Sequence, residues 1–220
     1  LMLEEVPRAK LSWLDPRILP FVIFGTGVST AGAIPIPLAG YVFIDVLHLS
    51  VTEAPQYTSV GLLASALAAF FAQMVIVQRF NMSARALVRW GTGVGIVSFA
   101  MLAASHQFGP LVAAFVVSGL GFGMARPGYA AASSLAVTPE EQGAVAGIMS
   151  ATSAAGFIFG PLIATKLYKI SPAVPFWFGA LLMTAMYAYA LLSPHLKAAG
   201  ALAPDSDMVG QNTETQVPKA

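Results

Sequence analysis

Six long apolar runs, separated by short polar stretches, dominate the 220-residue chain. A helix of about 20 residues crosses the roughly 30 Å of hydrocarbon in a bilayer, and the runs are about that long or longer. Backbone polar groups in lipid must be satisfied within the chain, which favours helices. The sequence therefore predicts an all-α membrane protein with six transmembrane helices. The predicted spans cover about residues 18–47, 57–77, 86–105, 109–137, 143–168 and 175–192.

Composition narrows the class of protein further. Hydrophobic residues make up 57% of the chain and charged residues only 10%, whereas a soluble domain carries about 25% charged residues. The absence of cysteine excludes disulfides and cysteine metal sites. The three histidines, His48, His106 and His195, are too far apart in sequence to indicate a metal site. The net charge of +1 gives no sign of a nucleic-acid partner, and we expect no cofactor.

The basic residues predict how the chain sits in the membrane. Most of them lie before the first span or between spans two and three: Arg8, Lys10, Arg17, Arg79, Arg85 and Arg89. Cytoplasmic loops carry an excess of Lys and Arg, so both termini are predicted to be cytoplasmic, in a plasma (inner) membrane. Lys166 and Lys169 oppose this orientation because they fall on the outer side. Residues 1–17 would then end a cytoplasmic linker, residues 18–195 form the membrane domain, and the polar residues 196–220 form a disordered tail.

The spans divide into two triplets of about 90 residues with similar loop spacing. Because three is an odd number, the second triplet crosses the membrane in the opposite sense to the first. Such a 3+3 inverted repeat is typical of secondary transporters, which bind their substrates near the bilayer midplane. Hydropathy alone supports this repeat, since the two triplets share little sequence.

One stretch of the fourth span, GLGFGMARPGY over residues 119–129, does not suit a lipid-facing helix. An arginine at the centre of a membrane helix costs about 2.5–3.5 kcal/mol on insertion scales, so Arg126 is expected to face a partner or a wet cavity. Pro127 removes a backbone hydrogen bond at the same depth. The stretch predicts a helix that lines a pathway. Arg126 either acts in that pathway or is the structural partner of a carbonyl or of a helix end.

Four further residues are candidates for the pathway. Gln73 either hydrogen-bonds into a cavity or bridges two helices. Phe122 and Tyr129 either form aromatic walls for a lipophilic substrate or pack between helices. Asp45, near the outer end of span one, is either solvated at the interface or acts in proton handling or an outer gate.

Span five carries a helix start and a packing motif. Residues 138–141, TPEE, match a capping box with Thr at the N-cap, Pro at N1 and Glu at N3. Gly156 and Gly160 form a small-xxx-small pair, which lets two helix backbones approach closely. Pro161 is expected to bend the helix just beyond this contact, as Pro127 does in span four.

Together these segments resemble the major facilitator superfamily, in particular the second half of a twelve-helix member. Residues 141–143 (EQG), residues 160–162 (GPL) and Tyr168 are similar to the tenth and eleventh helices of the drug:proton antiporter branch, which includes tetracycline-efflux-like proteins. The resemblance implies a missing N-terminal six-helix half as partner. It also implies a small-molecule substrate, with protons as the coupling ions.

The arginines between spans two and three would correspond to the family's basic loop between helices eight and nine. Arg79, Arg85 and Arg89 act either as a gating latch or as a positive-inside anchor. A gating latch would hold helix ends together in one conformation and release them in the other.

The predicted function is proton-coupled efflux of a small amphipathic or drug-like compound by alternating access. The main coupling acid is expected in the missing half, because Asp45 lies near the rim. An importer of a sugar, an organic acid or a siderophore is the first alternative, with Arg126 binding an anionic group. A non-transporting membrane fragment is the second, which the start at Leu1 keeps open. An intramembrane serine protease is disfavoured, because no membrane serine has a histidine at matching depth.

Overall fold

Every regular element in the described part of the chain is a helix. A computed structural model describes residues 11–80 and 82–198, and no β-strand occurs among them. The α-helices are α1 (Leu19–Ala33), α2 (Pro35–Leu47), α3 (Ala54–Phe71), α4 (Ala84–Ala104), α5 (Phe108–Leu135), α6 (Gln142–Tyr168), α7 (Val174–Leu192) and α8 (Pro194–Ala198). A π-helical segment, Ala72–Val77, continues α3, and a 3₁₀ turn, Pro139–Glu141, precedes α6.

Six helical stretches among the described residues are long and apolar enough to cross a membrane, which confirms the predicted fold class. They are Leu19–Leu47, Ala54–Val77, Ala84–Ala104, Phe108–Leu135, Pro139–Tyr168 and Val174–Leu192. The second stretch begins at Ala54, before the predicted start at residue 57. Pro55 explains the earlier start, because proline fits the first helical turn, where its missing N–H has no helical partner.

The first span is interrupted between α1 and α2. Helix α1 ends at Ala33 and α2 begins at Pro35, with Ile34 as the junction. A proline ring clashes with the preceding turn and removes one backbone hydrogen bond, so the helix bends there. The sequence places two prolines in this span, Pro35 and Pro37, which predict a kink, and the interruption lies at the first of them.

Helix α5 is the centre of the bundle and packs closely on α3 and α4. Gly119 and Gly123 face α3: a Cβ atom on Gly123 would lie 2.9 Å from the carbonyl oxygen of Ala69. Gly121 faces α4, where a Cβ atom would lie 2.9 Å from the amide nitrogen of Gly95. Contacts this short exclude any side chain, so the two helix pairs meet backbone to backbone.

Helices α1 and α6 form a second close pair through Gly156 and Gly160. A Cβ atom on Gly156 would lie 2.7 Å from the amide nitrogen of Thr30, and one on Gly160 would lie 2.7 Å from its carbonyl oxygen. Pro161 follows inside α6, and the Thr165 hydroxyl donates to the Pro161 carbonyl at 2.8 Å. The small-xxx-small pair thus lies in a helix contact.

An ion-pair cluster joins the same two helices at the end of the bundle where the chain enters α1. The Arg17 guanidinium donates to both carboxylate oxygens of Glu141 at 2.9 Å and to Asp15 at 2.8 Å. Glu141 also accepts the backbone N–H of Thr138 at 3.1 Å, and the predicted capping box is present. The box opens the 3₁₀ turn that leads into α6, so one carboxylate both caps this turn and holds Arg17.

A short helix follows the last span. Helix α8 comes after Ser193, and Leu196 is buried against the bundle. Residues 196–198, which the sequence assigns to the tail, therefore lie in this helix. Residues 199–220 of the predicted tail, and residues 1–10 of the predicted linker, lie outside the described residues.

The α1–α6 contact predicts a position-dependent effect of alanine on α6. Gly156→Ala and Gly160→Ala should each lower the free energy of unfolding by about 1–3 kcal/mol, because the added methyl group overpacks a backbone contact. Gly147→Ala is the matched control, since nothing lies within 4 Å of a Cβ atom there; it should raise stability by roughly 0.5–1 kcal/mol. Thermal unfolding in detergent measures all three, and equal effects would contradict the tight contact.

The ion-pair cluster predicts a pH dependence of stability. Hydrogen bonds from the Arg17 side chain and backbone N–H hold the pKa of the Asp15 carboxyl below its usual value. A carboxyl with a lower pKa in the folded state stabilises the fold above its unfolded pKa of about 4, and this stabilisation is lost as the pH falls toward the folded pKa. The thermal midpoint should therefore fall more in the wild type than in Asp15→Asn between about pH 6 and about pH 3. A larger fall in the variant would refute this assignment.

Candidate functional site

Arg126 is a lone charge well inside the bundle. It lies nine residues before the end of α5 at Leu135, about 14 Å along the helix axis. Its guanidinium carbon is 5.1 Å from the centroid of the Phe157 ring on α6, a cation–π distance. A Cβ atom on Gly32 of α1 would lie 3.4 Å from one guanidinium nitrogen. Within the described residues no carboxylate forms a salt bridge with Arg126.

Two cavities meet at Arg126. One, of about 400 Å³, lies between α5 and α6 and carries the hydroxyl groups of Ser133, Ser150 and Ser153. The second cavity, of about 360 Å³, lies between the first span, α3 and α5. Phe122 and other mostly apolar residues line it. Arg126 lines both cavities, so a cation stands between a hydroxyl-lined surface and an aromatic one. That Arg126 faces a wet cavity stays a prediction, which rests on the cost of a charge within a membrane helix.

The two aromatic candidates hold different positions. Phe122 is half-buried and packs edge-on against Phe99, with ring centroids 6.2 Å apart. Tyr129 is 3% exposed, and its hydroxyl lies 2.9 Å from the Ser153 hydroxyl and 3.4 Å from that of Ser29. Tyr129 therefore ties α5 to α1 and α6, and it borders the hydroxyl-lined cavity from a buried position.

Two residues near Arg126 belong to this site and were not expected from the sequence. Phe157 supplies the ring beneath the guanidinium, and Gly32 leaves room for it. Neither carries a signal of its own, because an aromatic next to a packing glycine is ordinary in a membrane helix. Only the approach of α6 and α1 to α5 identifies them.

Gln73 does not line the cavities at Arg126. It is exposed and lies in the π-helical segment after α3. The two alternatives for Gln73, a hydrogen bond into a cavity or a bridge between two helices, stay predictions. The π-helical segment itself was not predicted, since one extra residue per turn leaves no mark in a uniformly apolar stretch.

Asp45 lies at the opposite end of the bundle from the ion-pair cluster. It is exposed, and the Tyr168 hydroxyl donates to its carboxylate at 2.5 Å. A cavity of about 340 Å³ there is lined by Asp45, His48 and His106, a grouping that sequence spacing did not indicate. Within the described residues no three ligating side chains stand close enough to hold a metal ion.

The two roles considered for Arg79, Arg85 and Arg89, a gating latch or a positive-inside anchor, stay predictions. Arg79 is exposed, while Arg85 and Arg89 are half-buried on the first turns of α4. No described carboxylate pairs with any of them, since the salt bridges seen here both involve Arg17. A gating role for these arginines would need a partner beyond the described residues.

Comparison with known proteins agrees with this geometry. The sequence matches the profile of the Major Facilitator Superfamily over residues 20–213, which covers the six spans apart from Leu19. No curated protein matches the chain. The members of this superfamily are transporters rather than enzymes, and the six apolar helices embed the chain in a membrane. The chain belongs to the Major Facilitator Superfamily and is a multi-pass membrane transporter of that type.

Proposed function

We propose that this chain is the C-terminal six-helix half of a proton-coupled exporter of small amphipathic compounds, in the drug:proton antiporter branch. The exporter works by alternating access in the plasma (inner) membrane, with both ends of this segment in the cytoplasm. The observation that carries the proposal is Arg126, a cation that lines two cavities and has no carboxylate partner within residues 11–80 and 82–198.

The lining of the two cavities supports an amphipathic substrate. Hydroxyl groups on the α6 side offer hydrogen bonds, while Phe122 and Phe115 on the α3 side offer apolar surface. Arg126 stands between them and favours a compound with an acidic or strongly polar group. A substrate with one polar and one lipophilic part satisfies both surfaces at once.

The exposed apolar faces of α3 and α6 support the proposal that a second six-helix half packs against this one. Leu63, Leu67 and Phe70 on α3, and Ile158 and Leu162 on α6, are each more than half exposed. These two helices border the Arg126 cavities, so a partner packed on them would close those cavities from the side. Rocking of two such halves about a central site is the usual mechanism of alternating access.

Proton coupling depends on an acid outside this chain. Asp45 is the sole acidic residue within helices α1–α7. It is exposed at the rim and engaged by Tyr168, far along the bundle from Arg126. A carboxylate that couples proton entry to the conformational change must lie in the path, so we assign it to the other half.

Import of an organic acid is the second candidate function. Arg126 without a carboxylate partner within the described residues would bind a carboxylate of the substrate directly. The direction of transport separates the two functions. Protonophores abolish extrusion in the first case and uptake in the second.

Arg126→Gln should reduce transport by the full-length protein roughly tenfold to hundredfold, because a hydrogen bond to a charged group contributes about 1.5–3 kcal/mol. Arg126→Lys, which keeps the charge but loses the planar fork, should retain part of the activity. Lys169→Gln is the control, since it removes one charge from an exposed outer position. Extrusion of fluorescein from energised cells and uptake of benzoate measure the two directions of transport. Unchanged transport by the Arg126→Gln variant would contradict the proposal.

Asp45→Asn tests where the coupling acid lies. The variant should transport within about twofold of the wild type and remain sensitive to a protonophore, because its carboxylate is a rim contact of Tyr168. Tyr168→Phe removes the other side of the same contact and serves as the matched variant. Loss of proton coupling in Asp45→Asn alone would overturn the assignment of the acid to the other half.

A further inference from the structure

A groove distinct from the Arg126 cavities lies between α4, α5 and α7. Its volume is about 470 Å³. Arg89, Trp90 and Tyr187 line it together with the valines at 94, 97 and 117. None of these residues lines either cavity at Arg126, so the groove is a separate feature of the bundle.

The groove has one polar end and one apolar end. Arg89 lies five residues after the start of α4 at Ala84, and Tyr187 lies five residues before the end of α7 at Leu192. Five residues correspond to about 7.5 Å of helix, so both side chains lie near the same membrane surface. Val97 is eight residues further along α4, about 12 Å deeper. The lining thus passes from a cation and two amphipathic rings at the interface to valines in the hydrocarbon.

The charged residues that α4 and the connection before it bring to the polar end are all basic. Arg79, Arg85 and Arg89 lie at or near this membrane surface, and the sequence has no acidic residue between Glu53 and Glu140. No described carboxylate forms a salt bridge with Arg89. Juxtamembrane arginines of this kind attract anionic lipids, by about 1 kcal/mol each near the surface.

We propose that this groove binds one anionic glycerophospholipid from the leaflet beside the α3–α4 connection. Arg89 holds the phosphate, the Trp90 and Tyr187 rings lie at the level of the glycerol and ester groups, and one acyl chain runs along the groove past Val97. Tryptophan and tyrosine at the membrane interface suit this level, since each has an apolar body and a polar edge. The site does not depend on whether Arg126 contacts the transported compound.

The exposure of the groove favours lipid over a peptide segment. Trp90 is 63% exposed and Val97 is 53% exposed, so the groove opens sideways. An extended peptide there would carry backbone N–H and C=O groups into hydrocarbon without partners. An acyl chain carries no such polar groups. The phosphate of the same lipid can contact Arg89 in the groove lining.

The first test compares two arginines at the same membrane surface. The full chain is purified in detergent, and binding of dioleoyl-phosphatidylglycerol and dioleoyl-phosphatidylcholine is titrated by native mass spectrometry. The wild type should bind one phosphatidylglycerol more tightly than phosphatidylcholine. Arg89→Gln should weaken that first binding step about tenfold, since it removes a charge-assisted hydrogen bond. Arg79→Gln makes the same charge change outside the groove lining and should stay within about twofold.

The second test fills the apolar part of the groove. A Cβ atom on Gly93 would lie 3.8 Å from the Tyr187 ring, which is an ordinary contact distance. The leucine side chain of Gly93→Leu should therefore fit and fill the space proposed for the acyl chain. Gly147→Leu is the control, because nothing lies within 4 Å of a Cβ atom there. Gly93→Leu should lose the tight phosphatidylglycerol step while its thermal midpoint in lipid-free detergent stays near that of the control.

Two results would overturn the proposal. Equal weakening by Arg89→Gln and Arg79→Gln would mean that surface charge alone attracts the lipid. If a folded Gly93→Leu variant binds phosphatidylglycerol as tightly as the wild type, the acyl chain of the lipid does not enter the groove. Either result leaves the proposed transport function untouched, because none of these variants touches the Arg126 cavities.

Discussion

The close approach of α5 to α3 and α4 is the contact on which the rest of this bundle depends. Gly119 and Gly123 meet α3, and Gly121 meets α4, so the central helix is held on two faces by backbone contacts. In lipid there is little hydrophobic gain from bringing helices together, and tight packing of small residues takes its place. Because two faces of α5 pack against α3 and α4, Arg126 lies on the remaining face, which is directed toward α1 and α6.

The pair formed by the first span and α6 is held at three levels. Arg17 and Glu141 join it at one end, Gly156 and Gly160 pack on Thr30 in the middle, and Tyr168 donates to Asp45 at the other end. A motion that separates these helices must break all three contacts together. The exposed ion pair contributes little by itself, because solvent screens it, so the backbone contact in the middle carries most of the association.

Charged side chains in the described part of the chain differ in whether they have a hydrogen-bonding or ion-pair partner. Asp15, Arg17 and Glu141 satisfy one another at one end, and Asp45 has Tyr168 at the other. Arg126 and Arg89, which have no carboxylate partner in the described part of the chain, each line an open space. An unpaired guanidinium in a membrane protein needs water, a π face or a ligand anion, and both proposals follow from that requirement.

The sequence by itself determined the number of membrane-spanning stretches, their approximate ends, the kink at Pro35 and the capping box at Glu141, because length, hydropathy and cap chemistry are local properties. It also singled out Arg126, since a charge within an apolar run is visible in one dimension. Only the tertiary structure decided what Arg126 faces, that Gln73 stands apart from it, and that Arg17 reaches Glu141. Those facts depend on which helix faces meet, and glycines set this by permitting close contact between helices far apart in the chain.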